Sequence, residues 1–347
     1  GGGSAYSGGG GNDVGGMGGG ILEESEAVAQ ARELFSAGAI TGEELAAIIK
    51  KDRAFNEAVE EHAFLDVQFC VGQAFGESWE SKRARVKAAS PVGGQTGWEL
   101  VSIIVKSNDD LRQEVCAIQL IELCRRIFAD AQRGLWLQPY LIISTGNNCG
   151  LLQTLTNTAS LDSLKKKPGF VSLARHFESA YGGGGERSVR AAQHAFVRSL
   201  AAYSLVCHIF QIKDRHNGNM LLDTEGHIVH IDFGFILGIA PGGAFSLESS
   251  PFKLTLEMVE VMGGLDSELF REFVVEFTCG FLALQAQRDR IVTLVEMLTR
   301  ESPFPCFQDK DTASILHKLR LRLAPDLDKT ATVNHCLDLI HESYNNY

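Results

Sequence analysis

The stretch Lys213–Asn219 (KDRHNGN), followed by Asp232-Phe-Gly234, constrains this chain more than any other feature. Between them lie two short apolar runs, Met220–Leu222 and His227–Ile231, separated by the turn residues Asp223–Gly226. That pattern reads as a β-hairpin. Folding back brings Asn219 at its start beside Asp232 at its end. A carboxylate and an amide oxygen then meet at one open end, with Asp214 and His216 a few residues away to accept a proton. Mg²⁺ prefers hard oxygen ligands and keeps several waters, so one Asp and one Asn suffice to hold it. A loose, anionic phosphoryl-transfer transition state needs positioning and charge neutralisation rather than covalent chemistry. The pattern therefore points to phosphoryl transfer from ATP. The bland alternative is a hairpin with polar ends, and a lone DFG does arise by chance. Both motifs joined by a hairpin-sized gap are far more specific.

A second element supports the same chemistry. Glu99–Val105 is β-branched and apolar, which predicts a strand that ends at Lys106. A cation there would point at the ATP phosphates, provided a nearby acid holds it. Asp109, Asp110 and Glu114 are the candidates, and Glu114 opens the helix expected from Leu111 to about Gln132. Kinases need such a lysine–acid pair. Asp214 lies five residues before Asn219, the spacing of the protein-kinase catalytic loop.

Composition narrows the class. The chain has 347 residues, 45% of them hydrophobic, enough for about two lobes with a real core. The net charge of −11 argues against non-specific nucleic-acid binding. No apolar run reaches the ~18 residues of a membrane span, and no signal peptide opens the chain. A cytoplasmic protein is expected. The eight cysteines are scattered with no C-x-x-C, so buried reduced thiols are expected rather than zinc or disulfides.

Four segments follow in order. Residues 1–20, twelve of them Gly, are expected to be disordered, and the glycine start suggests a fragment of a longer protein. Residues 21–62 read as two helices, Glu23–Ala37 and Glu43 to about Glu61, with Thr41 and Glu44 as a capping box on the second. Residues 63–150 form a mixed N-terminal lobe, with further strands at Phe64–Val71 and Trp136–Ser144. Residues 151–347 form a mainly helical C-terminal lobe. It has a long helix at Val189–Phe210 and others at Leu254–Met262, Ser267–Arg288, Ile291–Arg300, Ala313–Leu323 and Thr330–His341. The fold class is thus α+β and two-lobed, like the protein kinases.

The motifs together resemble a known family. Ile104–Glu114 (IVKSNDDLRQE), Lys213–Asn219 and His230–Phe235 (HIDFGF) resemble the phosphatidylinositol 3-/4-kinase superfamily. Phe252–Thr255 (FKLT) and Val261–Gly264 (VMGG) are similar to the type III beta phosphatidylinositol 4-kinases, as are Phe75–Trp79, Ser90-Pro91, Leu137–Tyr140 and Pro305–Phe307. The resemblance covers about residues 64–345. It implies phosphorylation of phosphatidylinositol at its 4-hydroxyl by ATP, with Mg²⁺ or Mn²⁺. By motif match, Lys106 contacts the ATP phosphates with Glu114 beside it, and Asn219 and Asp232 bind metal. Tyr140 lines the adenine side, Gln153 and Leu155 belong to the hinge, and Asp214 and His216 handle the hydroxyl proton. Which of those two is the base stays open: His216 has the better pKa, Asp214 the matching spacing. The resemblance further implies a peripheral protein of Golgi-type or endosomal membranes, with small GTPases and calcium sensors as partners. The hinge departs from the family pattern, with Gln153-Thr154 in place of an acid followed by Pro. The phosphate lid is weakly marked, Val71–Gly76 being the best candidate. The chain stops just before the family's last amphipathic helix.

The segment Asp232–Phe252 contains no Lys or Arg, and Lys253 is the first cation after it. A kinase acting on an already phosphorylated ring needs cations there. Their absence favours phosphatidylinositol itself, with Lys253 facing the bridging phosphodiester. The alternatives are a phosphatidylinositol 3-kinase, a Ser/Thr protein kinase of the superfamily, or an inactive scaffold. The last would have to keep Lys106, Asp214, Asn219 and Asp232 for no purpose.

Overall fold

The computed structural model describes residues 26–36, 39, 41–53, 72, 74–241, 250–308 and 310–345. The chain divides into two compact units, 1–62 and 63–347. In the first, α1 spans Glu26–Ser36 and α2 spans 42–53. Thr41 and Glu44 form the expected capping box: Glu44 N–H donates to Thr41 Oγ1, and Thr41 N–H donates back to the Glu44 carboxylate over 2.8 Å. The remainder of the helix expected up to Glu61, and the strand expected at Phe64–Val71, lie outside the described residues.

The second unit opens with α3 (Trp79–Ala89), capped by Ser78 and ended at Ser90-Pro91. A three-stranded antiparallel sheet follows, in the order β1 (Ile103–Ser107), β3 (Cys149–Gln153), β2 (Ile142–Gly146). Lys106 lies at the end of β1, one residue before its last, opposite Gly150 of β3. α4 (Arg112–Asp130) packs against this sheet, burying Leu120, Cys124, Ile127 and Phe128 at helical spacing.

Two strand expectations change. Glu99–Ser102 is not part of β1. Residues 136–141 are not part of a strand, and only Leu141, just before β2, reaches β3, accepting from Gln153 N–H. The Gln138 N–H donates to the Tyr203 hydroxyl, and Trp136 stacks on His227 at 4.0 Å.

After β3 the chain links to a second three-stranded sheet, β4 (Thr158–Ser160), β5 (Met220–Asp223), β6 (Ile228–His230). β5 and β6 are the expected hairpin, in register Met220 to His230. Two short helices, α5 (Leu161–Lys165) and α6 (Leu173–Tyr181), lead to the long α7 (Glu186–Phe210). Along α7, Phe196, Leu200, Tyr203 and Cys207 are all buried, so the helix forms the floor on which the hairpin rests. Ser199 Oγ accepts from Ile228 N–H, and Tyr203 stacks on His230 at 4.6 Å. Gly226 closes the turn at φ +98°, where a Cβ would stand 2.5 Å from the Ala192 carbonyl oxygen. Only glycine fits that turn against that helix.

The rest is helical: α8 (Leu256–Val261), α9 (Glu268–Ala286), α10 (Arg288–Thr299), α11 (Thr312–Arg322) and α12 (Lys329–Asn345). α9 is the main partner of α7 and brings Phe273, Phe277, Phe281 and Leu284 into the core. Seven cysteines fall among the described residues and all are free thiols, five of them buried. No helix among the described residues is long and apolar enough to cross a membrane.

Candidate active site

Lys106 and Glu114 come together from a strand and the helix after it. The Lys106 ammonium donates to Asp109 Oδ2 at 3.1 Å and lies 3.9 Å from Glu114 Oε2. Asp110, the third candidate, instead pairs with Arg112 at 2.7 Å. Burial alone would lower the Lys106 pKa. The hydrogen bond it donates to Asp109 and the charges of Glu114, Asp109 and Asp232 outweigh it, and the ammonium is held charged. Burial raises the Glu114 pKa against the opposing pull of Tyr140 and Lys106. The Tyr140 ring, whose hydroxyl bonds Glu114, also stacks 6.4 Å from Phe233, which brings the DFG segment beside the acid that faces Lys106.

The hairpin places the rest. Ile231 N–H donates to the Asn219 carbonyl over 3.1 Å, joining the two ends as the spacing predicts. Asn219 is buried, and its Nδ2 donates to the Asp214 carbonyl. That leaves the oxygen Oδ1 as the side-chain atom for a cation. Asp232 is exposed, with Gly234 N–H donating to its Oδ1 at 3.3 Å. No group of three or more His, Cys, Asp or Glu able to hold a metal occurs among the described residues. Two protein oxygens completed by phosphates and waters are what Mg²⁺ accepts, so these residues fit that ion. Asp214 and Asp232 both adopt left-handed backbone, at φ +64° and +60°. Such conformations cluster at functional sites.

His216 is exposed, and its Nδ1 accepts from Gly218 N–H at 3.0 Å. Neutral His216 must then carry its proton on Nε2. A Cβ on residue 218 would lie 2.8 Å from His216 Cε1, so the glycine makes room for this ring.

Tyr140 is buried; it donates to Glu114 Oε1 at 2.6 Å and stacks 6.4 Å from Phe233, so it reaches the site through Glu114. The Gln153 side chain accepts from the N–H of Leu141, the residue just before β2, and the residue itself ends β3. Leu155 lies on the link and lines a cleft of about 890 Å³ with Trp79, Thr154 and Asn157. Phe75, in the weakly marked lid, packs at 5.7 Å from His176 of α6. Lys253 Nζ donates to the Arg215 carbonyl at 2.8 Å, which puts it beside the catalytic loop. Of the apolar residues after Asp232, Ile236 and Leu237 pack into the core. Residues 242–249 lie outside the described set.

Two buried residues were missed. Arg215 donates to the carbonyls of Lys213 (3.0 Å), Ile231 (2.8 Å) and Asp232, and lies over the Phe233 ring. Gln113 donates to the carbonyls of Gly234 (2.7 Å) and Phe233 (3.4 Å), while its Oε1 accepts from Cys306 N–H. Their position within the two recognised motifs was the available signal.

Residues 100–308 match the family described as phosphatidylinositol 3- and 4-kinase, which is more than half of the chain. This chain belongs to that family. Among its relatives is a phosphatidylinositol 4-kinase of Dictyostelium discoideum, 45% identical over 74% of this chain and 21% of its own length. The phosphatidylinositol 4-kinase beta 1 of Arabidopsis thaliana is 47% identical over 77% of this chain and 24% of its own. The phosphatidylinositol 4-kinase beta of Xenopus laevis is 41% identical over 69% and 30%. The chain thus spans under a third of the length of these relatives. As a member of the phosphatidylinositol kinase family it has a two-lobed α+β kinase fold.

Proposed function

We propose that this chain transfers the γ-phosphate of ATP to the 4-hydroxyl of phosphatidylinositol. The observation that carries this is the packing of the Lys106–Glu114 pair against the DFG segment. Glu114 lies 3.9 Å from the Lys106 ammonium, its neighbour Gln113 donates to the Phe233 and Gly234 carbonyls, and Asp232 is joined through the hairpin to Asn219. Relatives that match over most of this chain are named phosphatidylinositol 4-kinases, which favours the 4-hydroxyl over the 3-hydroxyl.

Lys106 binds and orients the nucleotide phosphates. Asn219 Oδ1 and the Asp232 carboxylate would hold Mg²⁺ or Mn²⁺, which neutralises phosphate charge when bound. Asp214 accepts the hydroxyl proton. His216 has its Nδ1 lone pair taken by Gly218 N–H, so it serves as a donor through Nε2. Lys253, beside the loop, faces the bridging phosphodiester. The cation-free segment after Asp232 offers nothing for a ring phosphate, so the unphosphorylated headgroup is preferred. Peripheral attachment to Golgi-type or endosomal membranes, and control by small GTPases and calcium sensors, belong to the same proposal.

The test is ATP-dependent labelling of phosphatidylinositol vesicles, with chromatographic identification of the product isomer. Asp232→Ala should lower turnover by about 10³-fold or more. A 3-phosphate product, labelling of peptide instead of lipid, or unchanged activity of Asp232→Ala would overturn the assignment.

A further inference from the structure

We propose that Gln113 is a positioning residue for the metal-binding carboxylate, acting opposite Arg215 to hold the DFG segment in a single conformation. The inference takes its ligand from the kinase reading above.

Four consecutive carbonyls, those of residues 231–234, are held by two buried side chains. Arg215, 4% exposed, reaches from the catalytic loop to the first two. Gln113, 5% exposed, reaches from the first turn of α4 to the other two. Between these pairs Phe233 is fully buried. Asp232 itself sits at φ +60°. A non-glycine residue in left-handed backbone is strained and persists only where its surroundings over-determine it. The paired jaws supply that over-determination. A flip of the Asp232 or Phe233 peptide would strip a carbonyl from a buried donor on one side or the other, leaving that donor unsatisfied.

The Gln113 amide is itself oriented. Its Oε1 accepts from Cys306 N–H at 3.0 Å, so an exchanged amide would set two donors against each other. The turn at 304–307 therefore decides which way Gln113 points, and Gln113 decides where the DFG carbonyls sit. The neighbouring Glu114 carries Lys106. The first turn of α4 thus positions the phosphate-binding lysine and the metal-binding acid together. The main chain of Arg215 is tied to Lys253, which donates to its carbonyl.

Gln113→Glu separates positioning from packing. It keeps the shape and the acceptor for Cys306 N–H, but sets a carboxylate oxygen against two carbonyls. Gln113→Met fills the same space with no hydrogen bonds, and replaces the first variant should that one not fold. Two readouts apply. Hydrogen exchange on the metal-free chain should show peptides covering 231–237 losing protection in either variant, with α7 peptides unchanged. The Mg²⁺ concentration for half-maximal ATP binding should rise about tenfold, as for other residues that orient metal ligands. Unchanged exchange and unchanged Mg²⁺ dependence in a folded variant would overturn the proposal. A wild-type chain that binds Mg-ATP but labels no phosphatidylinositol would instead overturn the substrate assignment and leave this one standing.

Discussion

The Tyr140 hydroxyl donates to Glu114 Oε1 over 2.6 Å, and both side chains are buried. This bond lowers the Glu114 pKa, while burial raises it by more. Tyr140→Phe removes the lowering influence and leaves a buried carboxylate oxygen without its donor. Glu114 then protonates at a higher pH, and Lys106 loses part of its partner there. The acid limb of the pH–rate profile should move toward neutrality, with a loss of about tenfold at pH 6 and a smaller loss at pH 8. Parallel pH–rate profiles of the variant and wild type would show this. An unmoved acid limb would detach Glu114 from the reaction.

Asp214 and His216 should separate cleanly by mutation. With Nδ1 accepting from Gly218 N–H, neutral His216 has only a donor to offer, and the proposed mechanism gives the proton to Asp214. Asp214→Asn should lower kcat by about 10³-fold, within the range for loss of a general base. His216→Gln keeps a donor and should cost only about tenfold. Steady-state kinetics on both variants decides it, and the reverse ranking would make His216 the base.

How much of this was legible in the residues follows from where each partner lies. The hairpin and α7 announced themselves, because turn residues and helical spacing are local signals. The Lys106–Glu114 pair was legible for the same reason, being one strand end and one helix start. Residues 136–141 were not: they look like a strand, but the Tyr203 hydroxyl, 65 positions away, takes the hydrogen bonds of Gln138. The bond from Tyr140 to Glu114 was not legible either, since its partner lies 26 residues earlier. Arg215 and Gln113 escaped because they bond to main-chain carbonyls, and a carbonyl leaves no mark on residue type.

Gly226 tests the support of the hairpin by α7. A Cβ there meets the Ala192 carbonyl oxygen at 2.5 Å, and its φ of +98° is strained for any other residue. Gly226→Ala should destabilise the chain by about 2–4 kcal/mol, combining backbone strain with overpacking. Denaturant unfolding would measure it. Asp232 rides on the same hairpin, so Mg-ATP binding should weaken in parallel.

Acid sensitivity should come from buried histidines. His208 is buried at the end of α7 between Phe281 and His335, and neither ring nitrogen has a hydrogen-bond partner among the described residues. Burial first, then the nearby Arg322 and His335, push its pKa down to about 3 from 6.5. His230 is likewise driven well below 6.5 by burial and by Arg215 and Lys253. Both stay neutral when folded and take up protons when unfolded, so the unfolded state binds more protons below pH 6.5. Stability is therefore full above that pH and falls as the pH drops toward the folded values. At pH 5 each histidine costs on the order of 2 kcal/mol. His208→Leu should thus change stability little at pH 8 and gain about 2 kcal/mol on the wild type at pH 5, read as the difference between unfolding curves at the two pH values. Parallel pH dependence in variant and wild type would mean that His208 does not stay neutral in the folded chain.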